Sequence, residues 1–179
     1  TEARFRGEAV AMVVGEEAAV ENLDLDSFPV TWHELPPIKT IDAALAKGAD
    51  QIHSDRPDNV LTGGRVVRGD VDRALAESDI VVEDSYETGF VEHAYIEPEA
   101  GFARRLGDTV EVQACTQSPY MDRADIAKIL GTAPEAVRII PTAVGGGFGS
   151  KLDLSVQPFV ALAAWHLNRP ARMVYSRNE

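Results

Sequence analysis

Along the first half of the chain, apolar residues gather in short runs separated by polar, glycine- and proline-bearing stretches, the pattern of a mixed α and β protein. Ala9 to Val14 is a continuous apolar run closed by Gly15 and predicts a buried strand. Glu16 to Leu25 predicts a helix, although Ala18, Ala19, Leu23 and Leu25 follow helical spacing only loosely. Val30 to Leu35 alternates and stops at Pro36-Pro37, which predicts a second strand, and Ile41 to Lys47 reads as a short helix ended by Gly48. The polar stretch from Ala49 to Gly64 has little periodicity and predicts a surface loop or hinge. Val66 to Asp70 then predicts a strand passing into a helix over Val71 to Ala76, with Asp70 placed to cap it, and Ile80-Val81-Val82 opens another extended segment.

The second portion, from Glu83 onward, is patterned more densely. Val110 to Ala114 alternates as a half-buried strand; Met121 to Leu130 carries Ile126, Ile129 and Leu130 on one helical face and closes at Gly131. Pro134 starts a brief helical turn, Val137 to Ile140 extends into a glycine cluster, Val156 to Ala164 is amphipathic, and Arg172 to Tyr175 reads as a closing strand. The expected fold class is therefore α+β, in two parts: a small α+β unit over residues 1–82 and a second unit over residues 83–179.

Composition narrows the functional classes. A chain of 179 residues with 45% hydrophobic content is long enough for one sizeable core or two small ones. A net charge of -12 speaks against general nucleic-acid binding. No apolar run approaches the ~20 residues that span a bilayer. The start has neither region of a signal peptide, so a cytoplasmic protein is the expectation, while the missing initiator Met is what a cut or processed chain would show. The single Cys115 excludes an intrachain disulfide and cannot by itself ligate zinc or an iron–sulfur cluster; it reads as a buried packing residue.

Gly145-Gly146-Gly147-Phe148-Gly149-Ser150-Lys151 is the most informative stretch. Four glycines in five positions are unfavourable unless the backbone needs unusual dihedrals or something must approach it closely, and successive amides there, with a following helix N-terminus, could form an anion nest. Ser150 precedes Lys151 and Leu152 follows it, so the Gly-Lys-Ser/Thr of a nucleotide-binding P-loop is absent; Ser150 also stands where a dinucleotide fingerprint needs its third glycine. Glu92 to Glu99 concentrates titratable groups, among them His93 and Glu97, but lacks the helical spacing of a zinc protease and reads equally as a hydrogen-bonded structural network. His33, His53 and His166 have no companion ligands nearby in sequence. Thr116 and Ser118 read as helix caps, whereas the amide of Gln117 could both donate to and accept from a polar cofactor.

Glu92 to Glu97, Thr116-Gln117 and the glycine loop, in this order and spacing, resemble the molybdopterin-binding large subunit of the molybdenum hydroxylases, the xanthine dehydrogenase and aldehyde oxidoreductase family. Arg6 to Val14 and Trp32 to Pro37 resemble that family's α/β hammerhead domain, and Arg169 to Arg177 the stretch after its glycine loop, so the resemblance covers essentially the whole chain. It implies a hammerhead-like domain over 1–82 and the first part of the molybdopterin-binding domain over 83–179. It implies a molybdenum–molybdopterin cofactor approached by Gln117, Gly146, Gly147, Phe148 and Gly149, with His93 and Glu97 supporting the pocket and no metal ligand or catalytic residue in this chain. The activity implied is hydroxylation of an aldehyde or N-heterocycle carbon with water-derived oxygen. The implied partners are the remainder of the subunit, 2Fe–2S and FAD subunits or domains, and a small-molecule substrate. Leu152 stands where purine-oxidising members have a glutamate, which speaks against ordinary xanthine oxidation. Taken alone, these residues are expected to be inactive and to hold little cofactor. The competing readings are a split or scaffold subunit that supplies half a pocket, and an unrelated phosphate-binding module.

Overall fold

The structure is a computed structural model and describes residues 2–177. The chain divides into two compact units: one comprises residues 7–22 and 89 onward, the other residues 2–6 and 23–88.

The larger unit is built on a four-stranded sheet in the order β3-β2-β1-β4, with β1 at Ala100–Leu106, β2 at Thr109–Ala114, β3 at Val137–Pro141 and β4 at Ala171–Val174. β1 and β2 form an antiparallel hairpin in which Leu106 faces Thr109, so Gly107 and Asp108 alone make the turn. Gly107 supplies φ +63° in the first of the two turn positions, where a side chain would be strained. β2 and β3 run parallel, with Val112 beside Ile139, and β4 pairs antiparallel with β1 on the far edge.

Between the parallel strands the chain crosses over through α4, Pro119–Leu130. Pro119 suits the first turn, where a missing N–H leaves no helical bond unmade, and Gly131 ends the helix at φ +65° while the Thr132 N–H donates to the Ala127 carbonyl. α5, Gln157–Leu167, packs with α4 against the sheet. Ile126 and Ala127 of α4 and Val160, Ala161 and Ala164 of α5 form one core with Ala103, Val110, Val112 and Val137 of the strands. Burial of a side chain such as Ile126 stabilises this unit by about 2 kcal/mol.

The pattern of the second portion thus holds for β2, β3, β4, α4 and α5, and Pro134 opens a single 3-10 turn as expected. β1 is a strand that the pattern does not announce. Ala-Gly-Phe-Ala-Arg-Arg-Leu does not alternate, and Gly101 is there because α5 passes close: a Cβ on it would lie 2.9 Å from Val156 Cγ2.

The first portion departs further from its pattern. The helices form, as α1 at Glu17–Glu21, α2 at Ile41–Leu45 and α3 at Val71–Ala76, with the Asp70 carboxylate accepting from the Arg73 N–H as a cap. α1 is much shorter than the Glu16 to Leu25 expected, and α2 stops before Gly48. The strands expected at 9–14, 30–35, 66–70 and 80–82 are not in any sheet; among the described residues none before Ala100 joins a ladder. A strand needs a neighbour for its N–H and C=O groups, and these runs have none, so their apolar side chains (Val13, Val30, Val66, Ile80 and Val82 among them) stay exposed. No helix among the described residues is long and apolar enough to cross a membrane.

Candidate cofactor-binding site

The parallel strands β2 and β3 end side by side, and the chain beyond each end builds the site. After Ala114, β2 continues into Cys115-Thr116-Gln117; after Pro141, β3 continues into the glycine loop, with the Thr142 N–H still donating to the Ala114 carbonyl. Carboxyl ends of adjacent parallel strands are where loops can converge on a ligand without disturbing the sheet.

Two side chains hold the loop. The Gly145 N–H donates to Glu97 Oε2 at 2.7 Å, and the Gly149 N–H donates to Gln117 Oε1 at 3.1 Å. The loop lies so close to these two side chains that a Cβ at Gly145 or Gly147 would force a neighbour to shift. A Cβ at Gly145 would lie 2.5 Å from Glu97 Cβ, and one at Gly147 would lie 2.5 Å from Gln117 Oε1. Between these clips the backbone takes positive φ at Gly146 (+102°), Phe148 (+53°) and Gly149 (+101°). For Phe148 this is a strained conformation, and its ring is 74% exposed, so packing of the ring within this chain does not explain it. Among the described residues nothing accepts from the amides of Gly146, Gly147 and Phe148. Gln117, whose Oε1 is committed to the loop, keeps its NH2 as a donor.

Beneath the loop lies a buried cation. The Lys151 side chain is 1% exposed; its ammonium donates to Glu97 Oε2 at 2.9 Å and to Cys115 Sγ at 3.1 Å, and sits 4.5 Å from the centre of the Tyr95 ring. Burial alone would lower its pKa, but the hydrogen bonds to Glu97 and Cys115 hold it above the usual lysine value. Glu97 receives the Cys115 thiol at 3.0 Å, and that bond together with the Lys151 ion pair pulls its carboxyl down to about 2. Burial and the neighbouring carboxylate push the Cys115 thiol up, so it stays a neutral donor and packing residue rather than a nucleophile. A second polar chain runs from Tyr95 Oη to Glu99 (2.9 Å), from Ser155 Oγ to Glu99 (2.9 Å) and to Gln157 (3.2 Å), and from Gln157 to Asp122 (3.3 Å), so Tyr95 and Glu99 of the Glu92 to Glu99 stretch take part in a hydrogen-bonded network.

The residues singled out in the sequence come together here with one difference of degree. Glu97, Gln117 and Gly145 to Gly149 are in direct contact, while His93 is exposed and stands beside Gly149, its Nε2 4.0 Å from where a Cβ would be. Two expectations change. The loop does not open a helix: Ser150–Leu152 is one 3-10 turn and α5 begins only at Gln157, so no helix dipole backs the loop amides. Ser118 occupies the N-cap of α4 without a side-chain capping bond, and Thr116 Oγ1 accepts the Ser118 N–H at 2.9 Å in a local turn. Sequence reasoning misses Lys151, Tyr95 and Cys115 as site residues. The contacts that tie Lys151 to Tyr95, Glu97 and Cys115, and Cys115 to Glu97, reach 18 to 56 residues along the chain, and the only local signal is a lysine that closes a glycine-rich stretch. Among the described residues no three His, Cys, Asp or Glu side chains gather as a metal site.

Residues 52–179 match the family model described as the molybdopterin cofactor-binding domain. The chain is 39% identical over 177 residues to the nicotinate dehydrogenase large molybdopterin subunit of Eubacterium barkeri, covering 98% of this chain and 41% of that protein. It is 32% identical over 183 residues to the nicotine 6-hydroxylase large subunit of Paenarthrobacter nicotinovorans, covering 98% of this chain and 22% of the relative. Among solved structures, the aldehyde oxidoreductase of Desulfovibrio gigas superposes with a TM-score of 0.72 at 30% identity, over 80% of this chain and 16% of that one. The chain therefore spans less than half the length of these relatives, and within that span it belongs to the molybdopterin cofactor-binding domain family of the molybdenum hydroxylases.

Proposed function

We propose that this chain forms one wall of the molybdopterin pocket in a molybdenum-dependent oxidoreductase that hydroxylates an electron-poor carbon of an N-heterocycle or aldehyde with oxygen from water. The observation that carries this reading is the interlock of Gln117 with the glycine loop, which leaves three consecutive amides and a side-chain NH2 without acceptors among the described residues, at the ends of two parallel strands. Such a row of fixed donors suits a polar, anionic group, and the Gly147 contact allows backbone to reach it. When bound, the molybdenum–pterin group supplies the oxygen-transfer and electron-accepting chemistry. Gln117, Gly146, Gly147, Phe148 and Gly149 would contact it, with Glu97 holding the loop from behind and His93 lining its edge. No residue of this chain is assigned as acid, base or metal ligand.

The domain assignment that goes with this reading is a hammerhead-like unit over residues 1–82 followed by the first part of the molybdopterin-binding domain over 83–179. The remainder of the subunit, 2Fe–2S and FAD carriers for the electrons, and a cytoplasmic location belong to the same proposal. For the substrate, Leu152 puts an apolar, exposed side chain directly after Lys151, which suits an N-heterocycle with few hydrogen-bonding groups better than a purine. The likeness to a nicotinate dehydrogenase points the same way. The test is to express the full-length subunit with its partners, assay molybdenum and pterin per subunit, and compare turnover of nicotinate, an aliphatic aldehyde and xanthine. Stoichiometric cofactor with turnover of the heterocycle, and loss of cofactor in Gln117→Ala, is the expected result. Full cofactor in Gln117→Ala, or no cofactor in the wild type, would remove the reading.

A further inference from the structure

The glycine loop is tied to one carboxylate at both ends. Glu97 Oε2 accepts from the Gly145 N–H at 2.7 Å and from the Lys151 ammonium at 2.9 Å, so the first and seventh residues of the stretch meet on a single oxygen atom. Lys151 then continues the circuit through its backbone: its carbonyl accepts from the Gln117 N–H at 2.8 Å, and the Gln117 side chain accepts from the Gly149 N–H at 3.1 Å. Gly145, Glu97, Lys151, Gln117 and Gly149 therefore close a ring of ties around the loop amides that have no acceptor among the described residues. We infer that Lys151 is a positioning residue, whose ammonium and carbonyl together hold the loop amides and the Gln117 side chain in the geometry that receives the cofactor.

A purely stabilising role explains the arrangement less well. Burying an ion pair removes two charges from water, and apolar residues of similar volume commonly stabilise a core as well or better. What an apolar pair would not do is bind two ends of a loop to one atom. The ammonium is also boxed in by the Cys115 sulfur, the Tyr95 ring and the Glu97 carbonyl at 3.4 Å, which leaves it one position to occupy. The site therefore fixes the lysine, and the lysine fixes the loop.

This inference rests on the cofactor reading above, and its experiment separates the two. In the full-length subunit, Lys151→Met and the double variant Glu97→Gln/Lys151→Met are compared with wild type by thermal unfolding, by molybdenum and pterin content, and by amide hydrogen exchange of the loop in cofactor-free protein. Lys151→Met leaves the half-buried Glu97 carboxylate without its cation and is expected to lower the melting temperature. The double variant has no uncompensated charge and is expected to recover most of that loss, yet to keep loop exchange at least tenfold faster than wild type and cofactor content at a tenth or less. A double variant with wild-type melting, wild-type loop exchange and full cofactor would overturn the inference and leave the pair a packing feature. Should Lys151→Met not fold, the double variant still decides. If wild-type protein carries no cofactor, the functional reading falls, while the exchange measurement still shows whether Lys151 holds the loop.

Discussion

Adding one methyl group at Gly145 or at Gly147 should destabilise the loop to different degrees, because the atoms met differ in their freedom to move. At Gly147 the new Cβ would meet Gln117 Oε1 at 2.5 Å and Cδ at 2.8 Å, the far end of a flexible side chain that can rotate away. Gln117 then forfeits its bond from the Gly149 N–H, about 1 kcal/mol net, and takes a less favoured rotamer for about 1 kcal/mol more. Gly147→Ala should thus cost about 2 kcal/mol, a loss of only a few degrees in a large subunit. Its effect on the site should be larger, because an amide proposed to meet the cofactor would move; the loss of one or two oriented hydrogen bonds weakens binding roughly 10- to 100-fold. At Gly145 the Cβ would meet Glu97 Cβ at 2.5 Å, and a Cβ cannot rotate out of the way. The backbone must shift, at about 1–3 kcal/mol for overpacking, and the bond between the Gly145 N–H and Glu97 is disturbed as well. Gly145→Ala should therefore be the less stable of the two. Thermal unfolding of full-length subunits, with molybdenum and pterin assayed on the same preparations, makes the comparison. Normal cofactor content in Gly147→Ala, or a greater loss of stability there than in Gly145→Ala, would refute this account.

Acid should expose the Glu97 clamp. Its carboxyl is held near 2 in the folded chain against an ordinary value of 4.5, so its stabilisation is complete above about pH 4.5 and lost as pH falls toward 2; Glu97→Gln should flatten that part of a plot of melting temperature against pH. Gly101→Ala should push α5 off β1 through the 2.9 Å approach to Val156 and cost about 1–3 kcal/mol, measurable by urea denaturation, whereas Val156→Ala in the same chain should return much of it. Gly131→Ala has open space around its Cβ, so only the positive φ at the end of α4 opposes it, and a loss of about 1 kcal/mol with unchanged cofactor content is expected.

Much of the larger unit is written locally. Alternation over Val110 to Ala114, the apolar face of Met121 to Leu130 and the glycine that ends it are each determined by a few adjacent residues, and β2 and α4 form where those residues say. The glycine loop and Gln117 are likewise legible, because dense glycine in one place has few structural explanations. The extended runs of the first portion are legible only as extended, since being a strand in a sheet is a property of two segments and the pattern of one cannot supply its neighbour. β1 is hidden for a related reason: Gly101 looks like a strand breaker until α5 is seen against it.

The sequence by itself determined that Gly145 to Lys151 is a loop needing unusual backbone and close approach, and that Gln117 stands at the end of a strand. It could not say what Lys151 is for. Nothing in the residues around Lys151 names its partner, and only the tertiary structure turns it inward onto Glu97, 54 residues away. That choice is made by the parallel pairing of β2 with β3, which brings Cys115 and the loop to the carboxyl end of the same pair of strands, and by the carboxylate that then makes burying the charge tolerable.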